Sequence, residues 1–538
     1  MRRPKLPPTA LLSLCVPLLA ASACSDDSNT GQTDDVAGTE SDTDTGEMQV
    51  NWVPALGIDI IEVEANQGTR VPIGGPGGAW VDGNQRNTHL ISARDTLVRV
   101  HFTVAEGWQP HDVKGVLHII KPGGEEVTQE QIINVVGDSS PTSLTRTFYY
   151  GLSASLGETE AGTRYQVELL EVDTTQDSSL PDLADVNPAS GPEQIGYEDT
   201  PLQMKIVLVP VHYTGDGDRL PDLSDANVEK LINAFYEQNP VREIFHQIRP
   251  QPIEYSNFLN QLATVLPMLA AAKQNDGADA NVYYHGLIDT GCMIEGCTNA
   301  GTVGIANGIS GDKQSDSLSR VAVSIWHDVD FTISTAVHEV GHNQGFYHIE
   351  CPGQNAAGTD PSYPYADGKI GNWGFGIRGY TFHNPTVSFD YMTYCDKTWV
   401  SDWRWSKAFT RIATLTSWDA GAPVPEGPDA GLIGTEVLVG ALYPDGSEEW
   451  FVLDGGIEPE QIRPGEGVLF EVGGHTVQQP AVVRTLSDDR SEWVMVPMPE
   501  GVELADVDAL THVRDGSLRR KLEPSMIRAN PGGPLKAR

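Results

Sequence analysis

Basic side chains are scarce in this chain. Its 538 residues carry 35 Lys and Arg against 74 Asp and Glu, a formal net charge of −39. So negative a surface repels phosphate backbones, which excludes nucleic acid as a partner. Long apolar runs are lacking as well: beyond the first 23 residues nothing approaches the roughly 20 apolar residues that a membrane-spanning helix requires. Cysteine is sparse, six in all, so covalent staples can be few. The length suits two or three domains, each expected to bury a core of its own.

The N-terminus departs from this composition. Arg2, Arg3 and Lys5 precede a short apolar run at residues 10–21, and Ala21-Ser22-Ala23-Cys24 follows it. That is the pattern of a bacterial lipoprotein signal over residues 1–23, with Cys24 as the lipidated residue. The signal has three basic residues and no acidic one, so its removal takes the charge from −39 to −42. Residues 24–48 hold eight acidic side chains, no basic ones and little that could be buried, and are expected to be a disordered acidic tether. The expected location is the outer membrane or cell surface, with release to the exterior left open. The expected membrane contact is the N-terminal lipid alone.

The chemistry is concentrated in His338-Glu339-Val340-Gly341-His342-Asn343-Gln344-Gly345-Phe346-Tyr347-His348. On a helix, residues four apart share a face, so His338 and His342 can turn their nitrogens toward one ion about 2.0–2.1 Å away. Gly345 can adopt the positive φ that ends a helix sharply, letting the chain turn back and bring His348 as third ligand. Three neutral ligands leave a zinc ion its full charge, and water bound to zinc has its pKa lowered to roughly 7. Glu339, beside two of the ligands, is placed to take that proton.

The spacing H-E-x-x-H-x-x-G-x-x-H resembles the signature of the metzincin clan of zinc peptidases, in which a turn carrying a methionine follows. Ser388-Phe389-Asp390-Tyr391-Met392-Thr393-Tyr394 is similar to that turn. The resemblance implies that Met392 lies beneath the metal and that Tyr394 is the tyrosine used by some members as an extra ligand or to stabilise the oxyanion. An astacin would follow the third histidine directly with Glu, whereas here Ile349 precedes Glu350. With Trp399-Val400-Ser401-Asp402 beyond, the segments look more like the bacterial mucin-cleaving and dictomallein-type metzincins.

Cys15 leaves with the signal and Cys24 takes the lipid, so four cysteines remain. An exported protein meets oxidising conditions, and the economical pairing is Cys292 with Cys297 and Cys351 with Cys395. A zinc-binding Cys351 acting as a latch is the alternative. Asp216, Asp218, Asp222 and Asp225 make calcium a second, weaker cofactor expectation, because Leu220 stands where an EF-hand loop needs an oxygen. His285, His327 and His383 lack metal spacing and read as surface or packing residues. Trp399, Trp403 and Trp405 read as core.

The fold class expected is α+β. Residues 49–200 alternate polar and apolar in short runs, such as 97–104 and 165–170, between Gly, Pro and Asp clusters, which suits an antiparallel β-sandwich. Residues 201–420 change character. A nearly continuous apolar run at 204–211 reads as a buried strand, 226–235 as a helix behind Ser224-Asp225, and 281–288, 302–309 and 321–326 as further strands. The zinc helix is expected from an N-cap near Asp330 to Gly345, and a second helix at 401–418. The metzincin resemblance implies a mixed sheet over the active-site helix, with a substrate peptide lying against an edge strand. Residues 421–538 return to strands, at 436–442, 449–453, 467–472 and 493–496, as a C-terminal β domain with a loose tail. The expected activity is that of a zinc metalloendopeptidase acting on protein or glycoprotein substrates. The alternative is a surface adhesin or glycan-binding protein on the same fold, without turnover.

Overall fold

The computed structural model describes residues 52–172, 179–291, 302–356, 358–419, 432–529 and 531. The signal, Cys24, the acidic tether, Cys292 and Cys297 lie outside the described residues. From Trp52 onward the chain forms one compact unit, a mixed α/β structure that is mostly sheet.

The two main sheets of the first part are antiparallel, while a short pairing of residues 90–91 with 197–198 is parallel. Strands β1 (Ile58–Asn66), β2 (Arg70–Gly75), β3 (Thr96–Val104), β4 (His111–Ile120), β5 (Glu126–Val135), β6 (Phe148–Leu152) and β7 (Arg164–Glu171) make two sheets, ordered β2-β1-β3-β6 and β7-β4-β5 along their central paths. The period-2 alternation read from the sequence delivers one apolar face from each, and Ile60, Val63, Val100, Leu117, Phe148 and Val167 meet in a shared core.

A mainly parallel sheet follows, ordered β9-β8-β10-β12-β11. Its strands are β8 (Gln203–Tyr213), β9 (Glu243–Ile248), β10 (Val282–Asp289), β11 (Gly304–Ala306) and β12 (Val321–Trp326), with α1 (Asp225–Gln238) and α2 (Leu266–Asn275) between them. All neighbouring pairs on this path are parallel except β11, which runs antiparallel along the edge beside β12. Strand β8 shows why its middle, residues 206–211, is an unbroken apolar run: both faces are covered. Val207, Val209 and Val211 enter one core, whereas Met204, Ile206 and Leu208 enter another. The second core belongs to α1, to α3 (Val329–Asn343) and to α4 (Asp402–Ser417).

The last part is one sheet of β13 (Glu436–Leu442), β14 (Glu448–Asp454), β15 (Ile462–Val472), β16 (His475–Thr485), β17 (Glu492–Pro497), β18 (Val507–Arg514), β19 (Ser517–Leu522) and β20 (Ile527–Arg528), ordered β19-β18-β15-β16-β17-β13-β14-β20. It is not a free appendage. Val437, Val439, Leu486 and Trp493 share a core with Val209 and Val323 of the parallel sheet and Leu269 of α2. The first part is tied in by Arg94, fully buried, whose guanidinium donates to the carbonyls of Gln67, Tyr236, Asn239 and Val241. Trp399 and Trp405 add indole bonds to the carbonyls of Gly68 and His89.

Candidate metal centre

Helix α3 begins two residues earlier than the sequence suggested. Its N-cap is Asp328, whose carboxylate accepts from the Phe331 N–H at 2.9 Å, while Asp330 sits within the first turn. Both aspartates suit a helix start; the one whose side chain reaches back over the free N–H groups takes the cap. The helix runs to Asn343 and ends in a paired-bond turn. The Gly345 N–H donates to His342 O and the Phe346 N–H to Gly341 O, with Gly345 at φ +88°. Any side chain on Gly345 would also run into Arg411 and the Ser310 carbonyl. The glycine therefore serves both the conformation and the space.

This turn brings the three expected histidines together. His342 Nε2 lies 3.2 Å from His338 Nε2 and 3.1 Å from His348 Nε2. The opposite ring nitrogens face backbone: His338 Nδ1 is 2.8 Å from Tyr391 O and His342 Nδ1 is 2.7 Å from Phe346 O. A proton on each Nδ1 donates to these carbonyls and leaves the Nε2 lone pairs aimed at one point. Burial keeps these two rings, those of His338 and His342, neutral. It lowers His338 to about 3, with His348 adding repulsion, and takes His342 well below its ordinary value. Nitrogens about 3.3 Å apart are what tetrahedral ligands 2.0–2.1 Å from a zinc ion require, so the residues fit the metal. Among the described residues these histidines are the one group of three or more His, Cys, Asp or Glu side chains near enough to hold an ion.

The turn at residues 390–394, ahead of α4, supplies the floor. Met392, fully buried, lies against Gly341, where a methyl group would run into Met392 Sδ and the Tyr391 ring. Met392 O accepts from Ile349 N–H at 2.9 Å, which fastens the segment bearing His348 to the turn. Beneath it the buried Asp390 carboxylate accepts from Met392 N–H at 3.0 Å, Ser401 Oγ at 2.7 Å and Arg404 Nε at 3.3 Å. Cys351 and Cys395 are joined by a disulfide, with Cα atoms 6.4 Å apart, so Cys351 offers no thiolate to a metal.

Two further groups face the same point. Tyr394 Oη is 2.9 Å from His348 Nε2, and burial holds its hydroxyl above the ordinary tyrosine value, so it stays protonated as a donor. Glu339 lines a cavity of about 710 Å³ with His338 and Tyr394. Burial pushes its carboxyl up to about 8, against a hydrogen bond from Ser487 that lowers it. A neighbouring dication would favour the ionised form and reverse that balance.

Other candidates lie elsewhere. Asp218 turns to His212, and Asp222 accepts from Ser224 N–H and from Asn227, so the four aspartates do not gather round a calcium position. His285 is buried against Ser324, His383 stacks on Trp399, and His327 packs near Phe331. Trp399 and Trp405 are core, and Trp403 packs against it. Sequence reading passed over Ser487 and Asp489, which reach the site from the C-terminal sheet, and Gly304, which lets β11 approach Glu339. No spacing links them to the histidine motif.

Comparison with known proteins bears on this geometry. Residues 247–349 match the model of the reprolysin-like metallopeptidases of family M12B. The match takes in Glu339 and all three histidines and stops before Met392. Over that segment the resemblance to metzincin-type zinc metallopeptidases holds. Among solved structures, the chain is similar to metalloproteinase-II from Bacteroides fragilis at 17% identity, over 28% of this chain and 44% of that one, with a TM-score of 0.21. It thus spans less than half of that protein's length. A protein of Bacteroides fragilis provisionally assigned as a β-galactosidase aligns at 8% identity over 82% of this chain and 72% of that one, with a TM-score of 0.14. Neither likeness carries an argument about the fold. No curated protein matches the chain.

Proposed function

We propose that this chain is an exported zinc-dependent endopeptidase of the metzincin type, hydrolysing peptide bonds of extracellular proteins or glycoproteins. In this reading a β-sandwich precedes the catalytic part and a β domain follows it, and a lipid on Cys24 holds the mature protein at the outer membrane or cell surface. The observation that carries the reading is the convergence of three histidine Nε2 atoms, that of His342 lying 3.1–3.2 Å from the other two, beside Glu339, which lines one cavity with His338. A zinc ion held by His338, His342 and His348 would polarise the scissile carbonyl and bring water within reach of deprotonation near neutrality. Glu339 takes that proton and returns it to the leaving amine. The Tyr394 hydroxyl donates to the oxygen on which negative charge grows.

A non-catalytic adhesin has no use for a carboxyl group buried beside the ligands, since burying an acid with no cationic partner costs free energy. The test is incubation of the protein and its Glu339→Ala variant with a proteome-derived peptide and glycoprotein library, with cleavage sites read by mass spectrometry and zinc measured in both. We expect cleavage by the wild type alone at equal zinc content. Identical patterns from the two proteins would favour the adhesin.

A further inference from the structure

The C-terminal sheet reaches the reacting groups through one loop. Strands β16 and β17 are joined by residues 486–491, and this loop is built firmly. Leu486 is buried in the core shared with the parallel sheet, and its N–H donates to Ser491 O at 2.9 Å. The Asp488 carboxylate accepts from the Arg490 and Ser491 N–H groups at 3.1 and 2.8 Å and from Ser491 Oγ at 2.7 Å.

Ser487 stands where this loop meets edge strand β11. In the antiparallel register of β11 with β12, Gly304 pairs with Ser324 and Ala306 with Ala322. The bonds across that pair run through Val303 O and Asn307 N, so the polar backbone of Gly304 and Ala306 points away from β12. At Ala306 both outward groups are taken. Its N–H donates to Ser487 Oγ at 2.8 Å, and its carbonyl accepts from Ser487 N–H at 3.2 Å. An amide N–H can only donate, so the hydroxyl must accept there and its own hydrogen is left to give. It is given to Glu339 Oε2, 3.2 Å away. The other oxygen, Oε1, lies under Gly304, in space that any side chain at that position would fill. The carboxyl group is thus bonded at one oxygen and hemmed in at the other. The same loop sets Asp489 Oδ2 3.5 Å from His348 Nδ1.

We propose that Ser487 is a positioning residue of the catalytic centre, its hydroxyl fixed by Ala306 so that it orients the Glu339 carboxylate. The inference rests on the peptidase reading for its kinetic consequence, but not for its geometric one. The terminal torsion of a glutamate is broad, and without a partner the carboxylate samples orientations that do not face the water it must deprotonate. Misplacement by about 1 Å can cost about a hundredfold in rate.

The test compares Ser487→Ala with Ser487→Thr, which keeps the hydroxyl. On a peptide the wild type cleaves, Ser487→Ala should lower kcat about 10- to 100-fold with KM within about twofold, and Ser487→Thr should restore most of it. A second readout needs no turnover: calorimetric binding of acetohydroxamate to the zinc-loaded proteins, because its N–O–H hydrogen needs an oriented acceptor beside the metal. Binding should weaken about tenfold in Ser487→Ala and recover in Ser487→Thr, with zinc affinity by chelator competition unchanged. Wild-type behaviour of Ser487→Ala in both readouts, or equal losses in both variants, overturns the proposal. If the wild type cleaves nothing while acetohydroxamate binding follows the hydroxyl, the peptidase reading falls and the positioning role stands.

Discussion

Glu339 makes the metal-free protein sensitive to pH in a way that can be isolated. Its carboxyl is raised by burial from 4.5 to about 8. Between those values the folded protein holds a proton that the unfolded chain has released, so stability falls as pH rises through the window. His338 and His342 act in the opposite sense. Their folded values are depressed, so the stability they contribute is present above 6.5 and lost as pH falls below it. From pH 6.5 to 8 those two histidines add little slope, and the raised Glu339 carboxyl supplies one of the opposite sign. That window spans about 1.5 pH units at about 1.36 kcal/mol each, or about 2 kcal/mol. The experiment is guanidinium unfolding of chelator-stripped protein at pH 6.5 and pH 8, wild type against Glu339→Gln. The wild type should lose about 2 kcal/mol more than the variant, because groups common to both cancel in the difference. Zinc should shrink the loss, since a carboxylate beside a dication no longer favours its acid form. The same fall in both proteins would refute the burial of an uncompensated acid at this position.

Three other outcomes follow from the geometry. Tyr394→Phe removes the donor beside His348 Nε2 and should lower kcat about a hundredfold with zinc retained; an unchanged kcat would remove Tyr394 from the reaction. Gly341→Ala gains up to about 1 kcal/mol of helix propensity but drives a methyl into Met392 and Tyr391, which costs about 1–3 kcal/mol, so the denaturation midpoint should drop. A higher midpoint would contradict the contact. The Cys351–Cys395 bridge spans 44 residues beneath the site, and its replacement by two alanines should cost about 2–4 kcal/mol, read as a lowered Tm.

The metal centre was legible because its parts are local. His338 and His342 are related by helical periodicity, His348 by a glycine turn, and Met392 and Tyr394 by a short segment similar to a known turn. The buried strand β8 was legible for an equally local reason, an apolar run without alternation. Legibility failed where a role depends on distant partners. Ser487 is 148 residues from Glu339, and a serine in an acidic loop announces nothing about what it touches. Strands β16 and β19 escaped notice because their exposed positions dominate: β19 reads Ser-Leu-Arg-Arg-Lys-Leu, with its last residue alone buried. Asp328 and Asp330 are equivalent by composition, and only the reach of the side chain separates them.

Arg94 bears on how this molecule could be taken apart. Its guanidinium serves the carbonyls of Tyr236, Asn239 and Val241 from a position outside residues 201–420. Excised alone, that segment would carry three orphaned acceptors at the end of α1, a bare apolar flank where Val437 and Trp493 had packed, and a glutamate without its serine. The histidine motif is thus portable as a sequence but not as a working part, and a truncated version should be insoluble rather than merely slow.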